Sequence, residues 1–205
     1  MEITQNKISL LNTFAGLGGN TELLDREKYE VTHVENVDKR IEYLKKTFPQ
    51  DTVIKADAYD FILNNIMKYD IVWASPPCPS HSNARWGNRR YDGFTYVYPD
   101  FKMYSLIALL TRARKYEHWV VENVRPYYKP LFEPTAVVGR HCIWSNKAIK
   151  SRKFPADGIN EIKADKENGL SVKDLRDKMN PTVGQYIIES LMQNPLKDEP
   201  LDSFY

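Results

Sequence analysis

Apolar residues in this chain fall into short runs, and the stretches between them place apolar side chains every three or four positions. Ile8-Ser9-Leu10-Leu11, Val31 to Val34, Thr52-Val53-Ile54, Ile71 to Ala74 and Trp119-Val120-Val121 read as five strands, with Thr135 to Val138 as a sixth. Helical spacing predicts helices over Lys39 to Thr47, over the set Phe61, Ile62, Ile66 and Met67, and over the set Met103, Leu106, Ile107 and Leu110, the last ending near Arg114. Asn20 stands where it could cap a short helix running to Leu24. Strands and helices alternate, which predicts an α/β domain with a mostly parallel central sheet and helices on both faces.

The pattern changes after about residue 145. Residues 1–146 carry the alternation and read as the main domain. Residues 147–179 are charged, contain Pro155, Gly158 and Gly169, and read as a short insert with a helix over Val172 to Met179. Residues 180–193 read as a more apolar helix from Val183 to Met192, and residues 194–205, with Pro195 and Pro200, as a weakly ordered tail. Pro79 to Pro99 is a long polar and aromatic loop, a length usually tied to function or motion.

Composition narrows the class only modestly. With 205 residues, 42% hydrophobic and 27% charged, the chain can bury a sizeable core. No apolar run approaches the roughly 18 residues of a membrane span, and the N-terminus lacks the basic-then-apolar order of a signal peptide. Cys78 and Cys142 are the only cysteines, too few for a disulfide framework or a four-cysteine zinc site, so a cytoplasmic protein with no metal is expected. The net charge of +2 decides little, but Arg85, Trp86, Arg89, Arg90 and Tyr91 cluster just after Cys78. Such a loop can meet phosphates and stack on bases, or it can be a solvated basic loop.

Four segments carry candidate chemistry. Cys78 follows the fourth strand after two prolines, which fix the path by which the chain leaves the sheet. That placement suits a nucleophile, and it also suits a buried structural thiol. Phe14-Ala15-Gly16-Leu17-Gly18-Gly19 follows the first strand, where glycines let backbone approach a ligand; an ordinary tight turn looks the same. Glu35-Asn36-Val37 and Asp57 follow the second and third strands, on the edge where open α/β sheets bind nucleotides. Glu122-Asn123 ends the fifth strand, where a shielded carboxylate is expected to have a raised pKa; a loop or capping pair is the plainer reading.

Together these residues resemble the DNA (cytosine-5) methyltransferase family. Phe14 to Gly19 is similar to its first cofactor motif, Pro76-Pro77-Cys78 to its proline-cysteine motif and Glu122-Asn123-Val124 to its Glu-Asn-Val motif, in the family's order. Asn180-Pro181-Thr182-Val183-Gly184-Gln185-Tyr186 resembles its last motif. The resemblance implies a Rossmann-like S-adenosylmethionine-dependent methyltransferase fold, with S-adenosylmethionine as cofactor and duplex DNA with a flipped cytosine as substrate. It implies Cys78 as nucleophile toward C6, with Glu122 on N3 and the exocyclic amine. Phe14, Ala15, Gly16, Leu17, Gly18, Gly19, Pro77, Asn180 and Thr182 would surround the cofactor. Val37 would pack on its adenine and Asp57 bind the adenine amine, while Glu35 or Asn36 would bind the ribose. Ser80, Ser82, Arg85, Arg89 and Arg90 would contact the DNA backbone, and Trp86 would fill space or stack.

The chain departs from the family pattern at four places. Asn36 stands where the family usually has an acid, and Asn12 where an acid precedes the Phe-Ala-Gly turn. Its arginine-rich strand motif has only Gly139-Arg140-His141-Cys142-Ile143-Trp144 as a counterpart. There Arg140 is expected to lower the Cys78 pKa, and Cys142 to be packing. A target-recognition domain has only residues 147–179 in its place. The same chemistry on RNA, a free cytidine nucleotide or DNA presented by a partner subunit therefore stays open, as does a non-catalytic regulatory protein.

Overall fold

The computed structural model describes residues 6–83, 87, 90, 93–114, 117–155 and 163–193. Seven strands form one sheet: β1 Ile8–Thr13, β2 Tyr29–Glu35, β3 Thr52–Lys55, β4 Ile71–Ala74, β5 His118–Val124, β6 Ala136–Val138 and β7 His141–Ser145. Their order across it is β3-β2-β1-β4-β5-β7-β6. The first five are mutually parallel, and β7 runs antiparallel to both β5 and β6. The helices are α1 Asp38–Thr47, α2 Ala58–Asn65, α3 Lys102–Ala113, α4 Val172–Asp177 and α5 Pro181–Gln193.

Alternation along the strands supplies two apolar faces. Leu10, Val31, Ile71, Trp73, Val120 and Ile143 meet Val183, Ile187, Ile188 and Leu191 of α5. Leu11, Val34, Val72, Val121, Cys142 and Trp144 meet Ile62 of α2 and Met103, Leu106, Ile107 and Leu110 of α3. Helices therefore cover both faces, and the architecture is a Rossmann-like α/β fold with an antiparallel pair at one edge. Each of the four α5 side chains gains about 1.5–3 kcal/mol by leaving water. Cys142 is packing, as its sequence position suggested.

Several strands run past their apolar runs because polar side chains there find partners. Thr13 donates to the Trp73 carbonyl at 3.0 Å. Asn12 and Asn20 exchange amide hydrogen bonds at 3.1 and 2.8 Å, inside the protein. Asn20 therefore caps no helix: its carboxamide points inward, and the turn there is a short 3-10 segment, Gly19–Thr21, preceded by Gly18 in the left-handed region at φ 68°. Below it, Asn12 meets His33 at 3.1 Å, His33 meets Asp51 at 3.0 Å, and Arg26 forks onto Asp51 at 2.8 and 2.6 Å.

The last helix closes on this turn by backbone contact. A Cβ on Gly184 would lie 2.3 Å from the Asn20 carbonyl oxygen, and one on Gly19 only 2.1 Å from that of Met179. Only glycine allows that approach. The helix expected after residue 180 thus returns to the first turn of the chain. Residues 156–162 of the insert and the tail 194–205 lie outside the described residues.

Candidate active site

The strand order reverses between β1 and β4, and a cavity of about 510 Å³ opens there at the carboxyl ends of the parallel strands. Open α/β sheets place ligands at this switch point. The segment after each of β1 to β4 contributes: Phe14 to Leu17, Glu35 and Asn36, Ala56 and Asp57, and Ser75 to Pro79. The end of β5 adds Glu122 and Asn123, and the start of β7 adds His141. Gly19 lines the cavity; Gly18 and Val37 flank it without lining it.

On the β1–β2–β3 side, the polar groups hold the walls. The buried Glu35 carboxylate accepts from the backbone N–H of Gly16 at 2.8 Å, of Asn36 at 2.9 Å and of Val37 at 3.0 Å. Three such bonds fix the glycine turn against the next loop. Asn36 is the exposed polar group at this point. Asp57 caps α2 by accepting from the Asp60 N–H at 3.0 Å through one oxygen, and it lines the cavity. Phe14, at φ 53°, stacks edge-on against Tyr59 with ring centres 4.9 Å apart. The Tyr59 hydroxyl is buried with no hydrogen-bond partner, and burial, Asp100 and Asp57 push its pKa up.

Asn180 and Thr182 sit outside the cavity. The Asn180 carbonyl oxygen caps α5, accepting from the Thr182 N–H at 2.9 Å and hydroxyl at 2.7 Å. Their neighbours Lys178 and Met179 line the wall instead. The segment before α5 crosses the mouth like a strap. Asp174 of α4 receives Lys39 and Arg40 of α1 together with Ser171. Burial alone would raise the Asp174 carboxyl; these partners outweigh it and hold it well below the usual carboxylate range. Lys178 pairs with Glu22 at 2.5 Å.

The β4–β5–β7 side carries the reactive groups. Cys78 is fixed by a turn in which its carbonyl accepts from the His81 N–H at 3.0 Å and the Ser82 N–H at 3.1 Å. His81 is buried and meets the Tyr128 hydroxyl at 2.5 Å, and burial pushes its pKa down. Asn123 donates to the Pro76 carbonyl at 2.9 Å, tying the Pro-Pro-Cys turn to β5. Burial and then the Glu122 carboxylate push the Cys78 thiol up to about 11. Arg140 does lower it, as expected, but too weakly to matter.

Glu122 corrects a second expectation. Burial raises its carboxyl, but hydrogen bonding and charge from His141, then Ser75 and Arg140, outweigh burial and hold it below the ordinary value. His141 Nδ1 is hydrogen-bonded to Glu122 Oε1, and both side chains are about nine-tenths buried. Arg140 Nε donates to His141 Nε2 at 3.4 Å, and Arg140 also donates to the Arg176 carbonyl at 2.7 Å. His141, Ser75 and Asn123 are site residues without an assigned role in the sequence reading. The alternation over His141–Ser145 was the available signal for His141, since it puts that residue on the face of Ile143.

Among the expected nucleic-acid contacts, Ser82 lines the cavity. Ser80 accepts from the Asp100 N–H at 3.1 Å beside it, and Arg90 is exposed. Arg85, Trp86 and Arg89 lie outside the described residues. Among the described residues no cluster of metal-ligating side chains occurs, and no helix is long and apolar enough to cross a membrane.

No family model matches this chain, and no curated protein is similar to it. Among solved structures it is similar to an S-adenosylmethionine-dependent methyltransferase from Agrobacterium tumefaciens, at 19% identity over 60% of this chain and 41% of the other, TM-score 0.42. It is also similar to a DNMT2 variant from Spodoptera frugiperda, at 22% identity over 58% and 36%, TM-score 0.39. A conserved hypothetical protein from Streptococcus pyogenes matches at 17% identity over 69% and 86%, TM-score 0.45. The match thus spans less than half the length of the first two.

Proposed function

We propose that this chain is an S-adenosylmethionine-dependent methyltransferase that transfers a methyl group to C5 of cytosine in DNA. One observation carries the reading: a single cavity at the carboxyl ends of the strands joins the Phe14 to Gly19 turn to both Cys78 and Glu122. These are the segments whose order resembles the cytosine-5 family. The cavity's size suits a nucleoside-sized ligand. The residues fit the cofactor: Asn36 and Asp57 offer polar groups for a sugar and a base, and the buried Tyr59 hydroxyl lacks a partner that a ligand could supply.

S-adenosylmethionine supplies an electrophilic methyl group. Cys78 and Glu122 supply the rest. The Cys78 thiol gives up its proton to water and, as the thiolate, bonds to C6 of the base, and the C5–C6 electron pair shifts toward C4 and N3, where Glu122 holds the ring edge. C5 then takes the methyl group, and loss of the C5 proton and of Cys78 restores the ring. A thiol raised to about 11 is almost fully protonated near neutral pH. The nucleophile is thus quiet until a base engages Glu122, the carboxylate that helps keep it protonated. A cytosine in a duplex must first be flipped out, at a cost of a few kcal/mol.

The strap bears on who reads the target. Ile149 and Met179 join the main core beside α5, so the described residues between 147 and 179 form no separate core. This favours target reading by loops or by a partner over an independent domain within residues 147–179.

Duplex DNA containing 5-fluorocytosine, incubated with the protein and labelled S-adenosylmethionine, should yield a covalent complex that survives denaturation. Cys78→Ala should abolish it and lower transfer by on the order of 10⁴–10⁶-fold. Transfer retained in Cys78→Ala would sink the mechanism. Parallel assays on single-stranded DNA, RNA and dCMP decide the substrate class; faster turnover on any of them overturns the duplex assignment.

A further inference from the structure

We infer that His141 supplies, through Glu122, the proton that N3 of the base takes up as Cys78 adds to C6, so that the histidine and the carboxylate act as one proton-holding pair. The inference rests on the functional reading above and adds a residue to it.

The geometry is specific. Glu122 lies on β5 and His141 on the antiparallel neighbour β7, where Val124 and His141 are register partners and Glu122 faces Ile143. The two side chains therefore lie diagonally on one face of the sheet. They meet through His141 Nδ1 and Glu122 Oε1, and both line the cavity that holds Cys78. The other ring nitrogen, Nε2, accepts a long 3.4 Å hydrogen bond from Arg140, an exposed side chain that turns away when that nitrogen takes up a proton. The buried carboxylate thus has an imidazole directly behind it, on the side toward the surface.

The chemistry needs such a donor. When a thiolate adds to C6, the electron pair that moves onto N3 must be met by a proton, or the ring carries full negative charge in a buried site. A lone carboxylate held ionised has no proton to give. The pair carrying one proton beyond neutral imidazole and carboxylate does. That proton passes to N3 as the S–C6 bond forms, leaving neutral imidazole, carboxylate and an uncharged adduct. It returns to the pair when the S–C6 bond breaks. The ionisable groups around the pair are Cys78 beyond β4, Arg140 in the turn just before β7, and Arg176 and Asp177 on the strap. Because His141 acts through Glu122, it is a positioning and proton-supplying residue.

His141→Asn separates this role from a structural one, because asparagine keeps an N–H for Glu122 Oε1 but cannot take up a proton. The expected result is kcat lowered by on the order of 10²–10³-fold, KM for DNA nearly unchanged, and the alkaline fall of the kcat profile moved to lower pH. Wild-type kcat and pH profile in His141→Asn would overturn the inference. A second measurement needs neither activity nor a variant. In wild-type protein labelled in its histidine rings and glutamate carboxyls, the His141 nitrogens and the Glu122 carboxyl should respond to pH in the same step by NMR. Independent steps overturn the proton pair even if methyl transfer is confirmed. A shared step with no methyl transfer to cytosine keeps the pair and rejects the functional reading instead.

Discussion

On the β1–β2–β3 side of the cavity, Glu35 accepts three backbone hydrogen bonds and Asp57 caps a helix. On the β4–β5–β7 side, Glu122 accepts from a titratable imidazole, and a protonated thiol lies on the same wall. Both sides bury a carboxylate at the end of a strand. One uses it to fix backbone; the other keeps it coupled to groups that can change charge. The difference teaches that a buried acid at the ligand edge is not by itself a ligand-binding acid: its partners decide what it does.

The comparison can be sharpened first at Cys78, where the largest change is expected. The folded thiol, raised to about 11 from an ordinary 9.0, holds its proton more tightly than in the unfolded chain. It therefore contributes stability that is fully present below pH 9 and is lost as pH rises through about 11. In the ligand-free protein, alkylation of Cys78 by iodoacetamide, followed by peptide mass spectrometry, should rise about tenfold per pH unit from 7 to 10 and level off near 11. Levelling near pH 8 would show the reactive side to be no more charge-sensitive than an exposed thiol.

Next in size is Glu35→Ala on the other side. It leaves three backbone N–H groups without an acceptor, and thermal melting should show a loss of about 3 kcal/mol. Calorimetry should show weakened S-adenosylmethionine binding along with it. Unchanged melting would break the contrast, because it would mean that Glu35 fixes nothing. Smallest is Gly184→Ala, which pushes a methyl group into the Asn20 backbone and should cost about 1–3 kcal/mol by the same measurement. Covalent trapping chemistry in the surviving folded protein should be intact, since Cys78 and Glu122 lie on other elements.

Much of this was legible in the chain. The strand cores Leu10-Leu11 and Ile71 to Ala74 declare themselves because parallel strands buried on both faces are continuously apolar. Cys78 and Glu122 were legible because each follows such a run directly. β7 was not, since His141–Ser145 is short and places a histidine and a serine in buried positions that only cross-strand partners justify. The acids were only half legible for a related reason. Sequence places Glu35 and Asn36 side by side at a strand end, but pleat and loop path decide which points inward, and that is settled by the three N–H groups gathered around Glu35. Asn180 is similar: that its side chain caps its own helix is set by the turn before Pro-Thr, which the sequence alone does not show.

The seat of Gly184 on Asn20 also sets an order in time. A polypeptide emerges from the ribosome with its amino end first, so β1 and the glycine turn are made long before the helix that covers them. Until Val183 to Leu191 emerge, Leu10, Val31, Ile71 and Trp73 have no cover on that face. Exposed apolar strands of this kind invite association with other chains or with chaperones. The cavity wall at Lys178 and Met179 is completed only when α5 docks, so a nascent chain cannot hold its ligand there early. That wall is therefore among the last parts of the fold to be completed during synthesis.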